Sequence, residues 1–199
     1  MAGTVVICFT DIVESTELLT RLGDDAFDDV RRRHFEALER QVDEHGGEVV
    51  KRLGDGLMTS FGSASDAVSA GVAMQRAVAA ASRGAAHDTV AVRVGISAGD
   101  ATREDGDWYG VPVVEGARLC AAAAPGQILV SEVVRLLAGN RGGHEFRSVG
   151  ALELKGLPEP VGAAEVAWTP AVATLAVPLP GSLAPDAGEL PFAGRDEAL

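Results

Sequence analysis

The chain has 199 residues, of which 47% are hydrophobic and 23% charged, and its formal net charge at pH 7 is −12. This composition is typical of one folded domain with a short appendage and excludes a disordered chain. So acidic a chain also lacks the basic face that nonspecific nucleic-acid binding requires. No apolar run reaches the ~18 residues of a membrane span, and no cleavable leader opens the sequence, so we expect a cytoplasmic protein that does not contact a membrane.

The first third of the chain predicts a strand, a helix and a β-hairpin. Residues 4–9 form the apolar run of a buried strand, and residues 24–45 carry apolar side chains every three to four positions, as an amphipathic helix does. The runs 48–53 and 57–61 flank Gly54-Asp55-Gly56. An Asp-Gly pair between two such runs predicts a hairpin.

The remaining elements follow from periodicity and turn residues. Residues 90–98 alternate apolar and small or polar side chains, which is the clearest strand pattern in the sequence. The other predicted elements are a helix at about 64–82, a turn-rich loop at 100–107, a helix at about 110–123, a short strand at 128–130, a short helix at 132–138 and small strands within 145–168.

The order of these elements predicts an α+β fold. A β-α-β-β-α-β series is the ferredoxin-like plan, and the later helix, strands and short helix extend it at the C-terminal side. We therefore place one domain at 1–168. Residues 169–199 hold five of the nine prolines and no periodicity, which predicts a linker. The end of that linker, 191–197, resembles the lead-in to an ATPase domain of large bacterial regulators, so we expect a further domain downstream.

Three side chains with reactive groups are interpreted as structural. Cys8 lies in the first predicted strand and Cys120 in a predicted helix, so both are expected to be buried thiols. Two cysteines provide neither a disulfide framework nor a zinc cluster. His34 falls on the apolar stripe of the helix at 24–45 and is expected to pack there.

Two aspartates at predicted strand ends are the strongest candidates for a functional site. Asp11 follows the apolar run of the first strand, and Asp55 lies in the predicted hairpin turn. A pair of carboxylates held this way can bind Mg²⁺, which usually takes one or two carboxylates plus substrate phosphates. Alone, Asp11 could equally be a helix N-cap and Asp55 a turn residue.

Three further polar positions complete a pattern. Lys51 precedes Asp55 by four residues, Asp107 precedes Gly110 by three, and Arg118 follows Gly110 by eight. Each could also be a solvated surface charge. Together with the two aspartates, these residues resemble the class III nucleotidyl cyclase domain, which makes cyclic AMP or cyclic GMP from the triphosphate. The resemblance covers residues 4–168.

The resemblance implies a role for each residue around the phosphates. Asp11 and Asp55 match the aspartates that bind two divalent cations, Mg²⁺ or Mn²⁺, and Ile12 matches a position whose backbone carbonyl is also a metal ligand. The amides from Val13 to Thr16 would open the first helix and face phosphate, since a helix N-terminus favours an anion. These positions are therefore the expected metal and phosphate ligands.

The resemblance also implies recognition of the base and of the developing charge. Lys51 and Asp107 match the pair that reads adenine through N1 and the exocyclic amine, which predicts ATP rather than GTP as substrate. Arg118 matches the arginine that stabilises the transition state, and Lys155 lies near the family's second phosphate-binding lysine. Val114 departs from the pattern because the family has an asparagine there, and loss of such a donor can cost roughly 10²–10³ in rate.

The resemblance therefore implies an adenylyl cyclase that acts as a head-to-tail homodimer. One subunit would supply Asp11 and Asp55 to each active site, and the other Lys51, Asp107 and Arg118. The alternative is a cyclase-like module that binds ATP or dimerises, turns ATP over slowly or not at all, and regulates a downstream domain.

Overall fold

One mixed β-sheet organises the chain in the computed structural model, which describes residues 2–82 and 90–171. The strands are β1 (Ala2–Ile12), β2 (Glu48–Leu53), β3 (Gly56–Phe61), β4 (Val92–Glu104), β5 (Asp107–Tyr109), β6 (Ile128–Ser131), β7 (Phe146–Leu152) and β8 (Val161–Val166). The helices are α1 (Ser15–Leu22), α2 (Asp24–Glu44), α3 (Ala64–Ser82), α4 (Val111–Ala122) and α5 (Glu132–Ala138). A short 3₁₀ turn, Arg141–Gly143, follows α5.

The sheet confirms the α+β prediction. Its strand order is β2-β3-β1-β4-β6-β8-β7, and β5 forms a hairpin with β4. The central strand β1 is antiparallel to both β3 and β4, with Cys8 opposite Thr59 on one side and Ile96 on the other. The order β1-α2-β2-β3-α3-β4 is the predicted ferredoxin-like core, and the elements from α4 to β8 form the predicted extension.

The two faces of the sheet carry separate hydrophobic clusters. Alternate residues of β1 point to opposite faces, as in any strand. Val6 and Cys8 pack in the larger cluster with α2, α3 and α5. Ile7 and Phe9 belong to a second cluster that includes Cys120 of α4. Consequently α4 lies on the opposite face of the sheet from α2 and α3.

Close approach of α4 to the sheet depends on two glycines. A Cβ atom on Gly95 would lie 2.1 Å from the backbone nitrogen of Cys120, and one on Gly116 would lie 3.3 Å from the ring of Phe9. A side chain at position 95 would therefore push α4 off the strand. Because Gly95 has no side chain, α4 packs close to the sheet. This close packing also sets how far the residues on the outer face of α4 lie from the sheet.

The prediction of a loop at 100–107 is wrong in part. Strand β4 continues to Glu104 and turns back into β5 through Asp105 and Gly106, whose φ values are 50° and 82°. Two residues of positive φ form the tight turn that suits the right-handed twist of a hairpin. Asp105-Gly106 is the same dipeptide that predicted the first hairpin, but the polar residues around it concealed the strand.

Other local predictions agree with the structure. His34 is 6% exposed, and Cys8 and Cys120 are buried free thiols. The helix predicted at 64–82 and the short helix predicted at 132–138 are α3 and α5. Within the described residues, no helix has both the length and the apolar character needed to cross a membrane. The predicted linker lies mostly at 172–199, outside the described residues. The segment 191–197, which resembles an ATPase lead-in, lies wholly outside them.

Candidate active site

Asp11 and Asp55 come together because β1 and β3 are adjacent strands. The register pairs Thr10 with Leu57, and the amide of Leu57 donates to Thr10 Oγ1 over 3.1 Å. Continued by one residue, this register sets Asp11 across from Gly56, directly beside Asp55. A Cβ atom at Gly56 would lie 2.1 Å from the carbonyl oxygen of Thr10, so only glycine permits this approach.

The hairpin turn presents Asp55. Leu53 pairs with Gly56, which leaves Gly54 and Asp55 as the two turn residues. Gly54 has a φ of 65°, and glycine at the first central position is the requirement of a type II′ turn. The predicted hairpin is therefore confirmed, with Gly54-Asp55 rather than Asp55-Gly56 at its tip. Asp55 is half-buried there.

Arg93 is a site residue that the sequence did not reveal. Asp11 Oδ2 accepts hydrogen bonds from Arg93 Nε over 2.8 Å and from a terminal nitrogen of the same guanidinium. Arg93 also donates to the carbonyl oxygen of Ala121, in the last turn of α4, over 3.1 Å. The charge of Asp11 is thus compensated within the chain, and a cation must share this carboxylate with Arg93 or displace it. Only the cross-strand register, which places Asp11 opposite Arg93, could have indicated the pair.

The donor set near the two aspartates fits a divalent cation of the Mg²⁺ type. Among the described residues, no three histidine, cysteine or acidic side chains are arranged so that they could hold a metal ion. Two carboxylates beside a backbone carbonyl are what Mg²⁺ uses when substrate phosphates and waters complete its shell. Ile12, whose side chain is buried against α2 and α3, supplies a backbone carbonyl next to Asp11.

The start of α1 leaves backbone amides for an anion. The amide of Val13, expected among them, is instead bonded to the carbonyl oxygen of Ala91 over 2.9 Å. The N-cap residue of α1, Glu14, has a left-handed φ of 56° and makes no side-chain capping bond. The first amides of a helix have no partner inside the helix, so an uncapped first turn suits a phosphate. Thr16 is exposed in that turn, and its own carbonyl accepts a bond from Thr20 Oγ1 over 2.8 Å.

Lys51 and Asp107 form an ion pair although 56 residues separate them in sequence. Lys51 lies on β2 and Asp107 begins β5. The amide of Trp108 also donates to Asp107, over 2.9 Å. The hydrogen bond from Lys51 lowers the pKa of the Asp107 carboxyl, the Trp108 amide and the charge of Lys51 add to this, and partial burial opposes it. The pair therefore offers one donor and one ionised acceptor side by side.

Arg118 and Val114 lie one turn apart on the exposed face of α4. Val114 is 42% exposed, and Arg118 is exposed as well. Among the described residues, no hydrogen bond or ion pair joins Arg118 to the aspartates or to the Lys51–Asp107 pair. Its guanidinium is therefore available to bind a ligand.

Lys155 lies in the loop between β7 and β8, close to α4. Its neighbour Leu154 packs in one hydrophobic cluster with Leu119, which follows Arg118. Lys155 itself is exposed. The fold thus brings the loop of Lys155 to the segment of α4 that carries Arg118, a proximity that spacing in the sequence could not show.

Comparison with known protein families identifies one match that covers nearly the whole folded part. The model of the Adenylate and Guanylate cyclase catalytic domain matches residues 1–167. A Rhizobium meliloti (strain 1021) protein provisionally named adenylate cyclase 3 is 39% identical over 130 residues, 65% of this chain and 22% of that protein. An uncharacterized Mycobacterium bovis protein is 32% identical over 179 residues, 90% of this chain and 45% of its own length. The chain therefore spans less than half of either relative.

Solved structures share the fold. The adenylate/guanylate cyclase/hydrolase from Silicibacter pomeroyi superposes with a TM-score of 0.76 at 27% identity, covering 86% of this chain and 99% of that one. The adenylyl cyclase CyaB from P. aeruginosa has a TM-score of 0.74 at 24% identity and covers 85% of this chain and 96% of its own. At that lower identity the second likeness concerns the fold alone.

Proposed function

We propose that this chain, which belongs to the family of adenylate and guanylate cyclase catalytic domains, is an adenylyl cyclase domain that converts ATP into 3′,5′-cyclic AMP and pyrophosphate. Members of the family bind a nucleotide substrate, generally use divalent metal ions and typically dimerise. The choice of ATP is our inference, and the observation that carries it is the pair formed by Lys51 and Asp107.

The Lys51–Asp107 pair has the polarity that adenine requires. A lysine ammonium can only donate, and an ionised aspartate can only accept. Adenine offers an acceptor at N1 and a donor at its exocyclic amine, whereas guanine has the reverse polarity at both positions. Guanine would set a donor against the lysine and an acceptor against the aspartate, and such mismatched contacts are costly. This pair therefore favours ATP over GTP.

The residues around the phosphates are proposed to position the nucleotide and stabilise charge. The amides in the uncapped first turn of α1, around Thr16, would hold phosphate oxygens, and Lys155 would bind a second phosphate group. Arg118 would stabilise the charge that develops as the ribose 3′-oxygen attacks the α-phosphorus. Divalent ions bound by Asp11, Asp55 and the Ile12 carbonyl would lower the pKa of the attacking hydroxyl and neutralise the leaving pyrophosphate.

The active site is proposed to be shared between two copies of the chain. Within the described part of the chain, Arg118 makes no bond to Asp11 or Asp55. It is therefore available to a nucleotide that is bound by another copy. In a head-to-tail homodimer, one subunit supplies the two aspartates, and its partner supplies Lys51, Asp107 and Arg118. A twofold axis then creates two equivalent sites.

One assay tests the proposed activity. Incubation of the purified chain with ATP and Mn²⁺ should yield cyclic AMP, and incubation with GTP should yield at least about tenfold less cyclic GMP, since mismatched hydrogen bonds commonly cost this much or more. A preference for GTP would contradict the role given to Lys51 and Asp107.

A second function is favoured by Val114. This exposed aliphatic side chain stands one turn before Arg118, where a donor would face the nucleotide. Without that donor, the domain could bind ATP or dimerise with little turnover and act on a downstream domain. ATP binding without cyclic AMP formation would favour this alternative. The downstream domain and the cytoplasmic location stay predictions.

A further inference from the structure

The hairpin formed by β4 and β5 reaches across the sheet to β2. In the strand order, β3 and β1 lie between β2 and β4, and β5 has no strand partner other than β4 among the described residues. Even so, Cα atoms of β2 and β5 approach within 8 Å. The hairpin therefore leans over the strands that separate it from β2, and side chains must hold it there.

Two ion pairs connect the hairpin to β2. One joins Lys51 to Asp107, and the other joins Glu48 to Arg103. Glu48 precedes Lys51 by three residues, which is about 10 Å along a strand. Two attachments this far apart restrict how the hairpin can turn over the sheet, whereas a single attachment would act as a pivot.

Arg103 also covers the indole of Trp108. The two residues are directly opposite each other in the hairpin, and the guanidinium carbon lies 5.5 Å from the centre of the ring, within the range of a cation–π contact. Trp108 packs against the second hydrophobic cluster, as Val50 of β2 does. The amide of Trp108 bonds the Asp107 carboxylate over 2.9 Å. The contacts of Arg103 are thus passed on to Asp107 through Trp108.

We propose that Arg103 and Glu48 are positioning residues of the nucleotide site, whose ion pair holds the β4–β5 hairpin so that Asp107 meets Lys51. This inference rests on the proposed function, in which the Lys51–Asp107 pair reads adenine. Arg103 and Glu48 thereby set the preference for ATP over GTP without contacting the base themselves.

The exposure of the second ion pair indicates that it controls position rather than overall stability. The side chains of Arg103 and Glu48 are 40% and 51% exposed, and ion pairs this exposed contribute little to the stability of a fold. The strand β5 has three residues, and a two-stranded ribbon alone is only marginally stable. Loss of the pair should therefore move the hairpin while the rest of the sheet stays folded.

The pKa of the Asp107 carboxyl, followed by NMR in the 199-residue chain, measures the position of the hairpin without any nucleotide. The hydrogen bond from Lys51 lowers this pKa. Glu48→Arg places two positive charges together and should push the hairpin away, so the pKa of Asp107 should rise towards its ordinary value. The added positive charge acting directly on Asp107 would lower the pKa instead, so the sign of the change separates the two effects.

The nucleotide preference gives a second readout. Glu48→Arg and Arg103→Glu should each lower the ratio of kcat/KM for ATP to that for GTP about tenfold, since each replaces an attraction by a repulsion. The loss should appear mainly as a higher KM for ATP, because contacts to the base act equally in the ground state and the transition state. The double variant restores opposite charges and should return the ratio to within about threefold of the unsubstituted chain.

A matched control is available on the far side of the sheet. Glu145 pairs with Arg147, and both side chains are exposed. Glu145→Arg makes the same charge reversal as Glu48→Arg outside the hairpin. It should leave the pKa of Asp107 and the nucleotide ratio unchanged.

Two results would overturn the proposal. One is a pKa of Asp107 that is unchanged or lower in Glu48→Arg, and the other is a double variant whose nucleotide ratio is no better than that of the single variants. Failure of the proposed function looks different. A raised pKa of Asp107 in Glu48→Arg, together with no cyclic nucleotide from the unsubstituted chain, would support the positioning of the hairpin and refute the cyclase activity.

Discussion

At the scale of single residues, the Asp11 carboxylate has competing partners. Arg93 bonds its Oδ2 atom, so this carboxylate already has a positively charged partner within its own chain. Asp55, at the tip of a tight turn, has no ion pair in the described part of the chain. Substitution of Asp11 should therefore reduce the stability of the fold more than substitution of Asp55. Loss of Asp11 leaves Arg93 without its partner, whereas loss of Asp55 leaves the local structure intact.

The first prediction concerns these carboxylates. Asp55→Ala should abolish divalent-dependent cyclic AMP formation and leave the melting temperature nearly unchanged, because a metal ligand is lost at a half-exposed turn. Asp11→Ala should abolish activity and also lower stability. Asp43→Ala, an exposed acid on α2, is the control for charge alone. Cyclic AMP production by Asp55→Ala at the unsubstituted rate would refute the assignment.

The second prediction concerns base choice. Replacing Lys51 by Glu and Asp107 by Gly should shift preference from ATP towards GTP, because glutamate accepts where lysine donates and glycine removes the acceptor that would repel the guanine oxygen. The measurement is kcat/KM for each nucleotide. Arg141→Ala, at an exposed position outside the proposed site, changes the net charge by the same −1 and is the control for charge. An unchanged ratio of the two kcat/KM values in the double variant would show that these residues do not contact the base.

The third prediction concerns the exposed valine of α4. Val114→Asn should raise kcat more than it changes KM, by roughly tenfold or more, because it adds a donor that acts in the transition state. Val111→Asn, which changes another exposed valine on the same helix, controls for surface polarity. Equal or lower kcat in Val114→Asn would show that another group already fills the role.

At the scale of elements, glycines determine how α4 rests on the sheet. Gly95→Ala should destabilise the fold by about 1–3 kcal/mol, since the added carbon meets the backbone of α4. Gly62→Ala is the control, because its Cβ would meet nothing within 4 Å. Thermal unfolding of both variants measures the difference. Equal melting temperatures would contradict the close approach of the helix.

A pH dependence follows from His34 on α2. Its folded pKa of about 4 lies below the ordinary value of 6.5, so the unfolded chain binds the proton first. Its contribution to stability is thus present above pH 6.5 and is lost as the pH falls towards 4, by at most about 3 kcal/mol. His34→Leu should remove this loss, measured as the free energy of unfolding at pH 7 and pH 4.5.

Burial lowers the pKa of His144 too, with the charges of Arg76 and His45 adding to it, so part of the acid sensitivity should persist in the His34→Leu chain. The same pH dependence in the unsubstituted and the His34→Leu chains would mean that His34 is not the group responsible.

Local sequence patterns predicted the positions of helices and strands better than they predicted which residues contact each other. Helices α3 and α5 and the strand alternation of β4 follow from periodicity within a short window, which one sequence contains in full. The β4–β5 hairpin escaped prediction because its turn lies among polar residues. The Asp11–Arg93 pair escaped because strand register depends on the whole sheet. The roles given to Lys51 and Asp107 rest on resemblance, and the structure adds that the two side chains meet.

At the scale of the whole molecule, the question is how two copies could build one site. Within the described residues, Arg118 bonds neither to its own aspartates nor to Lys51 and Asp107. A complete site within one chain would need a nucleotide to bridge these groups unaided. A second copy placed head to tail could supply the missing half to each site, which is the arrangement we propose.

Mixing two inactive variants tests that arrangement. Asp55→Ala and Arg118→Ala should each be nearly inactive alone, because every site in either homodimer contains a lesion. In a mixed dimer, one site combines the intact Asp55 of one chain with the intact Arg118 of the other, and the second site carries both lesions. With random exchange about half of the dimers are mixed, so about a quarter of the unsubstituted activity should return. Failure to recover activity, once subunit exchange is shown by an independent label, would mean that each chain contains its own complete site.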